Sequence, residues 1–275
     1  PWGVPVRSEA ERGLTFWVWP ESLWAPISFT AAYEEKTRGS TEGWKDWWYS
    51  RDTKIVQFIG EDNIYFYGIG QFAIFTGLQD GTPVLPPPDG ELQLTTLVAN
   101  KHLLFLDKKA SSSGAVKPPM ARELLDYYTA DQIRAHFLGL GMGKKSISFR
   151  PRPFDPNPKP GEADPALKEG NLLSNVLNKA ARSCFYTIQN FFDGRLPVGE
   201  VGAEAREACA EVTREFERHV LAGRYYQAMD RADVFIRGIT KAWNRGVKAA
   251  EAAGDDAIRR QTVIDCLHMV RVAMV

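Results

Sequence analysis

The sequence predicts an α/β half built on a parallel sheet, followed by an all-α helix bundle. Three observations carry this. Residues 54–59 (KIVQFI) and 94–99 (LTTLVA) are β-rich runs flanking residues 62–78, an apolar stretch long enough for a crossover helix. Strand, helix, strand at that spacing argues for parallel pairing. Residues 151–165 hold six prolines and no apolar period, the composition of an extended linker. Beyond them apolar residues recur at helical steps and no strand pattern returns.

Each element follows from its own residues. Residues 14–19 (LTFWVW) read as a first strand. Trp44, Trp47 and Trp48 fall in a helix-like insertion before residues 54–59, where core packing accounts for them. Residues 77–90 contain Pro83 and Pro86-Pro87-Pro88 and form a loop. Residues 102–106 read as a further strand, and residues 120–138 as helix, with Leu124, Leu125, Tyr128, Ile133 and Phe137 apolar. Residues 171–192 place Leu173, Val176, Leu177, Ala180, Cys184, Ile188 and Phe191 at steps of three and four, one buried stripe. Residues 203–221 and 224–253 repeat the style, and Gly254 stops the latter as a C′ glycine. Asp255 or Asp256 caps a last helix striped by Ile258, Val263, Leu267, Val270 and Met274. Short loops make these helices an antiparallel bundle. The expected division is residues 1–150, a linker 151–165, and a helical domain 166–275.

Composition bounds the function. Lys plus Arg and Asp plus Glu both number 34 among 275 residues, a formal net charge of zero. Any nucleic-acid contact therefore rests on a local patch rather than a global basic field. Three scattered cysteines, Cys184, Cys209 and Cys266, form neither an even disulfide framework nor a four-thiolate zinc site. Reduced thiols in a cytoplasmic protein, with no metal, are the expectation. No apolar run approaches the roughly 18 residues of a membrane span, and the first residues lack a signal-peptide pattern. A start without Met and an end inside an apolar helical pattern predict a piece of a longer protein.

Four places in the chain stand in a telling order. Trp19-Pro20-Glu21 is followed by Ala25-Pro26-Ile27-Ser28-Phe29, and Phe58-Ile59-Gly60-Glu61-Asp62 by Ile64-Tyr65-Phe66. Lys109-Ala110-Ser111-Ser112-Ser113-Gly114 follows a strand and precedes a helix, and residues 171–182 read NLLSNVLNKAAR. In this order and spacing the chain resembles the methionyl-tRNA synthetases, a class I aminoacyl-tRNA synthetase family. That family writes the first three places Trp-x-Asp-Ala-Pro-Ile-Gly-Tyr, Phe-Ile-Gly-Lys-Asp and Lys-Met-Ser-Lys-Ser. The similarity covers nearly the whole chain and starts midway through the family's catalytic domain.

The resemblance implies a partial Rossmann-like sheet followed by an anticodon-binding helix bundle, with tRNA, above all methionine tRNA, as partner. The parent reaction is ATP-dependent attachment of methionine to tRNA, with Mg2+; none of these is expected bound to this chain alone. Trp19, Ala25, Pro26, Phe29 and Tyr67 would line the amino-acid pocket, Trp19 as a flat apolar wall; a core tryptophan is the competing reading. Asp62 lies just past residues 54–59, where ligands sit in open parallel sheets. It would hold the substrate ammonium, or cap the next helix, or do both. Lys109, Ser111 and Ser113 would form the loop that steadies ATP phosphates during adenylate formation.

Departures from the family concentrate on chemistry. Ser112 replaces its second loop Lys, and Gly114 the Arg that usually follows. Loss of one such cation could cost several kcal/mol of transition-state stabilisation. Glu21 stands for its Asp, with Ser22-Leu23-Trp24 extra before Ala25; Tyr67 stands for its His and Gln71 for its second pocket Trp. The family's upstream His-Ile-Gly-His type motif is absent, so this chain alone should not activate an amino acid. A parent activating another amino acid, and a non-catalytic module that binds protein partners or serves a structural role, remain alternatives.

Asn171, Asn175, Asn178 and Arg182 are spaced four, three and four, and share one helical face opposite the apolar stripe. Such a face is either solvated or a reader of unpaired bases. By resemblance, Asn178 and Arg182 match the family's anticodon-contacting pair. The family's stacking Trp is carried by Trp243, with Arg245 the alternative position. Arg214, Arg218, Arg224, Arg231 and Arg237 sit among acids and read as an ion-paired, solvated surface.

Overall fold

The structure, a computed structural model, describes residues 4–16, 18–109 and 117–275. The chain divides into two compact units, Pro1–Lys101 and His102–Val275.

In the first unit, β1 (Val4–Pro5) pairs antiparallel with β2 (Thr15–Phe16). The strand expected over residues 14–19 is thus reduced to two residues. Val18–Ser22 is instead a short helix, α1, and Trp17 lies outside the described residues. The aromatic-rich run follows its tertiary partner rather than its β propensity, since the Trp19 ring stacks on Phe66. Helices α2 (Ala25–Arg38) and α3 (Lys45–Trp48) come next. Strand β3 (Val56–Gly60) then pairs in parallel with β4 (Thr96–Asn100), from Val56↔Thr96 to Gly60↔Asn100. The crossover between them is helical, as expected, but changes pitch. A 3₁₀ turn (Glu61–Asn63) leads into a π-helical turn (Tyr65–Gly70) and then α4 (Gln71–Gly77).

The unit's core gathers Ile27, Trp48, Phe75 and Leu92, with Trp24 and Trp44 packed against it. Trp48 donates its indole N–H to Thr30 Oγ1 at 2.9 Å, satisfying the one polar atom a buried tryptophan carries. Trp47 is more exposed and donates to the buried Glu34 at 2.8 Å. Two of the three tryptophans are core residues; the third caps a buried carboxylate.

In the second unit, β5 (Leu103–Phe105) lies between β6 (Lys108–Lys109), antiparallel, and β7 (Ile147–Phe149), parallel. The helix expected over residues 120–138 is two, α5 (Ala121–Leu124) and α6 (Ala130–Gly139). The break comes at Thr129. Its hydroxyl accepts from Gln132 N, and the Gln132 side chain accepts from Thr129 N, a reciprocal cap that starts a new helix. Residues 151–165 fold back on their neighbours. Pro151 is buried, Arg152 donates to Glu162 O at 2.6 Å, and Tyr128 donates to Asp164 at 2.5 Å.

The remaining helices are α7 (Lys168–Asn171), α8 (Asn178–Phe191), α9 (Ala203–Leu221), α10 (Tyr225–Ala253) and α11 (Asp256–Ala273). A second π-helical turn, Leu172–Leu177, joins α7 to α8. Leu177, Cys184, Cys209, Ile236, Ile239 and Cys266 are among the buried members of one core. Burying each large aliphatic side chain contributes about 1.5–3 kcal/mol. Gly254 closes α10 at φ 63°, a left-handed conformation suited to glycine, and Asp255 caps α11 by accepting from Ala257 N at 2.7 Å. Burial pushes the Cys184 and Cys266 thiols up to about 12. No described helix is long and apolar enough to cross a membrane. Among the described residues, no three His, Cys, Asp or Glu groups gather as a metal site.

Candidate functional site

Two groups of predicted residues can be followed in the structure, one in each unit. In the first unit, β3 and β4 run parallel and end together, so the residues that follow them share one edge. Glu61 and Lys101 meet there at 2.7 Å. Asp62 stands beside them, exposed to solvent, and among the described residues accepts only a long hydrogen bond from Asn63 at 3.4 Å. It caps no helix: Gly60 occupies the N-cap place of the 3₁₀ turn, without a side-chain cap. Its carboxylate folds back over the strand end because Gly60 has no side chain. A Cβ there would lie 2.5 Å from Asp62 Oδ1.

Trp19, half-buried in α1, lies flat on Phe66 with centroids 4.1 Å apart and planes 7° from parallel. One face of the predicted pocket wall is therefore covered by the chain itself. Ala25 and Pro26 open α2, where Pro suits a first turn that needs no N–H donor. Phe29, one turn on, is 72% exposed.

Tyr67 and Gln71 share a task. Tyr67 donates to Ser22 O at 3.4 Å, and the buried Gln71 donates to Leu23 O at 2.7 Å. Gln71 Oε1 in turn accepts from Gln57 at 2.7 Å, and Gln57 also donates to Thr95 Oγ1 at 2.7 Å. Gln57 and Thr95 were missed by sequence reasoning; the one signal was a polar residue interrupting an apolar strand. Residues 22 and 23 fall in the three-residue insertion noted above, and Leu23 is itself buried. The polar groups of Tyr67 and Gln71 thus face the chain's own backbone.

In the second unit, Lys109 ends β6 and is exposed, while Ser111 and Ser113 lie outside the described residues. Asn178 and Arg182 are both exposed on successive turns of α8, opposite the buried Ala180, Cys184 and Ile188. The longer face expected from Asn171 onward does not hold. The π-helical turn Leu172–Leu177 inserts about one residue, rotating what precedes it by about 100°. Asn171 and Asn175 instead bond to each other at 3.1 Å. The regular face runs from Asn178 through Arg182 to Tyr186. Arg182 donates to Tyr186 Oη at 3.2 Å, its guanidinium 5.7 Å from the ring centroid. That hydrogen bond holds the Tyr186 phenol below its ordinary range.

Trp243, on α10, is half-buried and packs on the bundle core. Arg245 is exposed and paired with Glu204 at 2.7 Å. Of the five arginines read as an ion-paired surface, three are shown paired: Arg218, Arg231 and Arg237, with Glu215, Asp230 and Asp233.

The family described as tRNA synthetases class I (M) matches residues 1–157. The chain belongs to this class I methionyl-tRNA synthetase family. It is 27% identical over 229 residues to the methionine–tRNA ligase of Methanopyrus kandleri, covering 83% of this chain and 30% of that protein. To the methionine–tRNA ligase of Pyrococcus furiosus it is 27% identical over 236 residues, with the same shares. A crystal structure of Mycobacterium tuberculosis methionyl-tRNA synthetase bound by methionyl-adenylate shares its fold, with a TM-score of 0.70 and 18% identity. That similarity covers 99% of this chain and 48% of the other. The chain thus spans about 30% of the length of these curated synthetases. The α/β part followed by a helical bundle is the arrangement this synthetase fold has.

Proposed function

We propose that this synthetase-family chain binds tRNA through its bundle, with Asn178 and Arg182 reading anticodon bases of methionine tRNA. The observation that carries the reading is their placement. Both are exposed, one helical turn apart, on a helix whose opposite side is locked into the core. Asn supplies donor and acceptor together, and Arg a planar fork that bonds or stacks; unpaired loop bases are what such groups read. Trp243 is the proposed stacking partner from α10, in the domain of residues 166–275.

The parent reaction in this reading is ATP- and Mg2+-dependent attachment of methionine to tRNA, in the cytoplasm where translation runs. Lys109, with Ser111 and Ser113, belongs to the ATP-facing loop. Asp62 takes the substrate ammonium, and Trp19, Ala25, Pro26, Phe29 and Tyr67 belong to the amino-acid pocket. The inward bonding of Gln71 and Tyr67 supports methionine over a more polar substrate, because their polar atoms are already engaged.

Fluorescence binding to methionine tRNA tests the tRNA reading. Affinity should fall on Arg182→Ala and on changing the anticodon. Binding indifferent to both changes removes anticodon reading.

A further inference from the structure

Helix α8 carries more on its outer face than the Asn178–Arg182 pair. Phe185 and Tyr186 follow Arg182 by three and four residues, the spacings at which helical side chains are neighbours. Each is 54% exposed, although both are large apolar groups that burial would stabilise. Two aromatics at the end of α8, the exposed Phe191 and the half-buried Phe192, have cations beside their rings. Arg259 sits 3.7 Å over the Phe191 ring, and Arg260 lies 5.3 Å from that of Phe192. Phe185 has no cation or ring over it among the described residues.

Charge narrows what could cover this surface. Residues 170–192 contain no Asp or Glu, in a chain where 34 of 275 residues are acidic. Lys179 and Arg182 are the charged groups of α8. An acid-free helix face with two cations, an amide and two half-exposed aromatic rings, one of them beside Arg182, suits a polyanion that also offers flat apolar faces. Unpaired RNA has that chemistry: phosphates for the cations, base edges for Asn178, base faces for the rings.

We propose that Phe185 and Tyr186 extend the Asn178–Arg182 face into an aromatic platform on which unpaired bases of the tRNA loop stack, with Tyr186 also holding Arg182 in its reading position. This rests on the anticodon-binding function proposed above and deepens it. Tyr186 acts twice. Its hydroxyl accepts from the guanidinium, which removes freedom that Arg182 would otherwise lose on binding, and its ring remains half open to a base.

The test uses the full chain and a fluorescently labelled anticodon stem-loop of methionine tRNA, beside the same hairpin with its loop sequestered in a duplex. Melting curves establish that each exposed-site variant is folded. Phe185→Ala and Tyr186→Ala should each weaken binding to the open loop roughly tenfold to a hundredfold, the size of one base–aromatic stack. Duplex binding should stay unchanged. Tyr186→Phe keeps the ring and loses only the acceptor, so it should recover most of the affinity while reducing discrimination between anticodons. Quenching of a fluorescent base analogue in the loop should accompany binding and vanish in both Ala variants. If Arg182→Ala weakens binding but neither aromatic variant does, the platform is refuted and the anticodon reading survives. If all three bind like the unaltered chain, the underlying reading fails with it.

Discussion

Gly246 offers a prediction in which two known effects oppose each other. It lies in the interior of α10, one turn beyond Trp243. Replacing a glycine by alanine inside a helix ordinarily stabilises by about 1 kcal/mol. Here a Cβ would stand 2.5 Å from Thr262 Cγ2 and 2.9 Å from Thr262 Cβ on α11, with Thr262 Oγ1 crowded as well. A rotamer change can move Cγ2 and Oγ1, but not Thr262 Cβ, so the helices themselves must separate. Overpacking of this kind costs about 1–3 kcal/mol. The net expectation for Gly246→Ala is a loss of about 1 kcal/mol, or roughly 2–4 °C in Tm for a unit of this size. Adding Thr262→Ala deletes the two closest atoms. Because Thr262 Cβ remains in the alanine, the double variant should recover only part of the loss, with a coupling of about 1 kcal/mol in a double-mutant cycle followed by circular dichroism. A Tm that rises in Gly246→Ala, with no coupling to Thr262→Ala, would refute the close α10–α11 crossing on which the position of Trp243 depends.

Three further outcomes follow from the site geometry. Gly60→Ala should leave stability within about 0.5 kcal/mol, because the atom it meets is the free end of an exposed carboxylate. It should nonetheless abolish any methionine-dependent rise in Tm, as should Asp62→Asn; a rise that persists in both removes Asp62 from the ammonium role. The Cys184 and Cys266 thiols stay protonated in the folded chain up to about 12, against 9.0 ordinarily. Their contribution to stability is therefore complete below about pH 9 and declines as pH rises toward about 12, which Cys184→Ala should flatten in urea titrations. Gln71→Trp should destabilise by about 3 kcal/mol or more. It overfills a buried position and strands the Leu23 carbonyl, measurable by urea unfolding.

Much of the bundle was legible because amphipathic helices advertise themselves. Residues 203–221 were bounded as found, and Gly254 and Asp255 marked the α10–α11 turn by the chemistry of their caps. The failures have physical causes. A period of 3.6 residues cannot register a π turn, so the Asn171–Arg182 face was drawn too long. The capping box at Thr129 was available in the sequence as Thr129 and Gln132, but an unbroken apolar stripe concealed it. Trp19 sat in a run of β-formers, and only its stacking on Phe66 explains the helical turn. Both candidate sites adjoin a π-helical turn, at Tyr65–Gly70 and Leu172–Leu177, a feature frequent at functional sites and invisible to pattern reading.

The departures in the first unit read differently once their partners are seen. Listed along the sequence, an insertion at residues 22–24 and changes at residues 67 and 71 look like three independent losses from an amino-acid pocket. In space they are one construction. The insertion buries Leu23 and leaves its carbonyl needing a donor, and Gln71 supplies one that an indole in its place would have to reach by chance. Tyr67 bonds the neighbouring carbonyl, and Gln57 and Thr95 complete the network around Gln71. A half-satisfied buried network costs more than none, so changing one of these residues alone disturbs the partners of the others. Reverting one of them alone therefore measures the integrity of that network. The chemistry of the pocket becomes testable only when the insertion is deleted along with the changes at 67 and 71. A chain so altered that folds with its Trp19–Phe66 stack intact would show that the wall is independent of the network behind it.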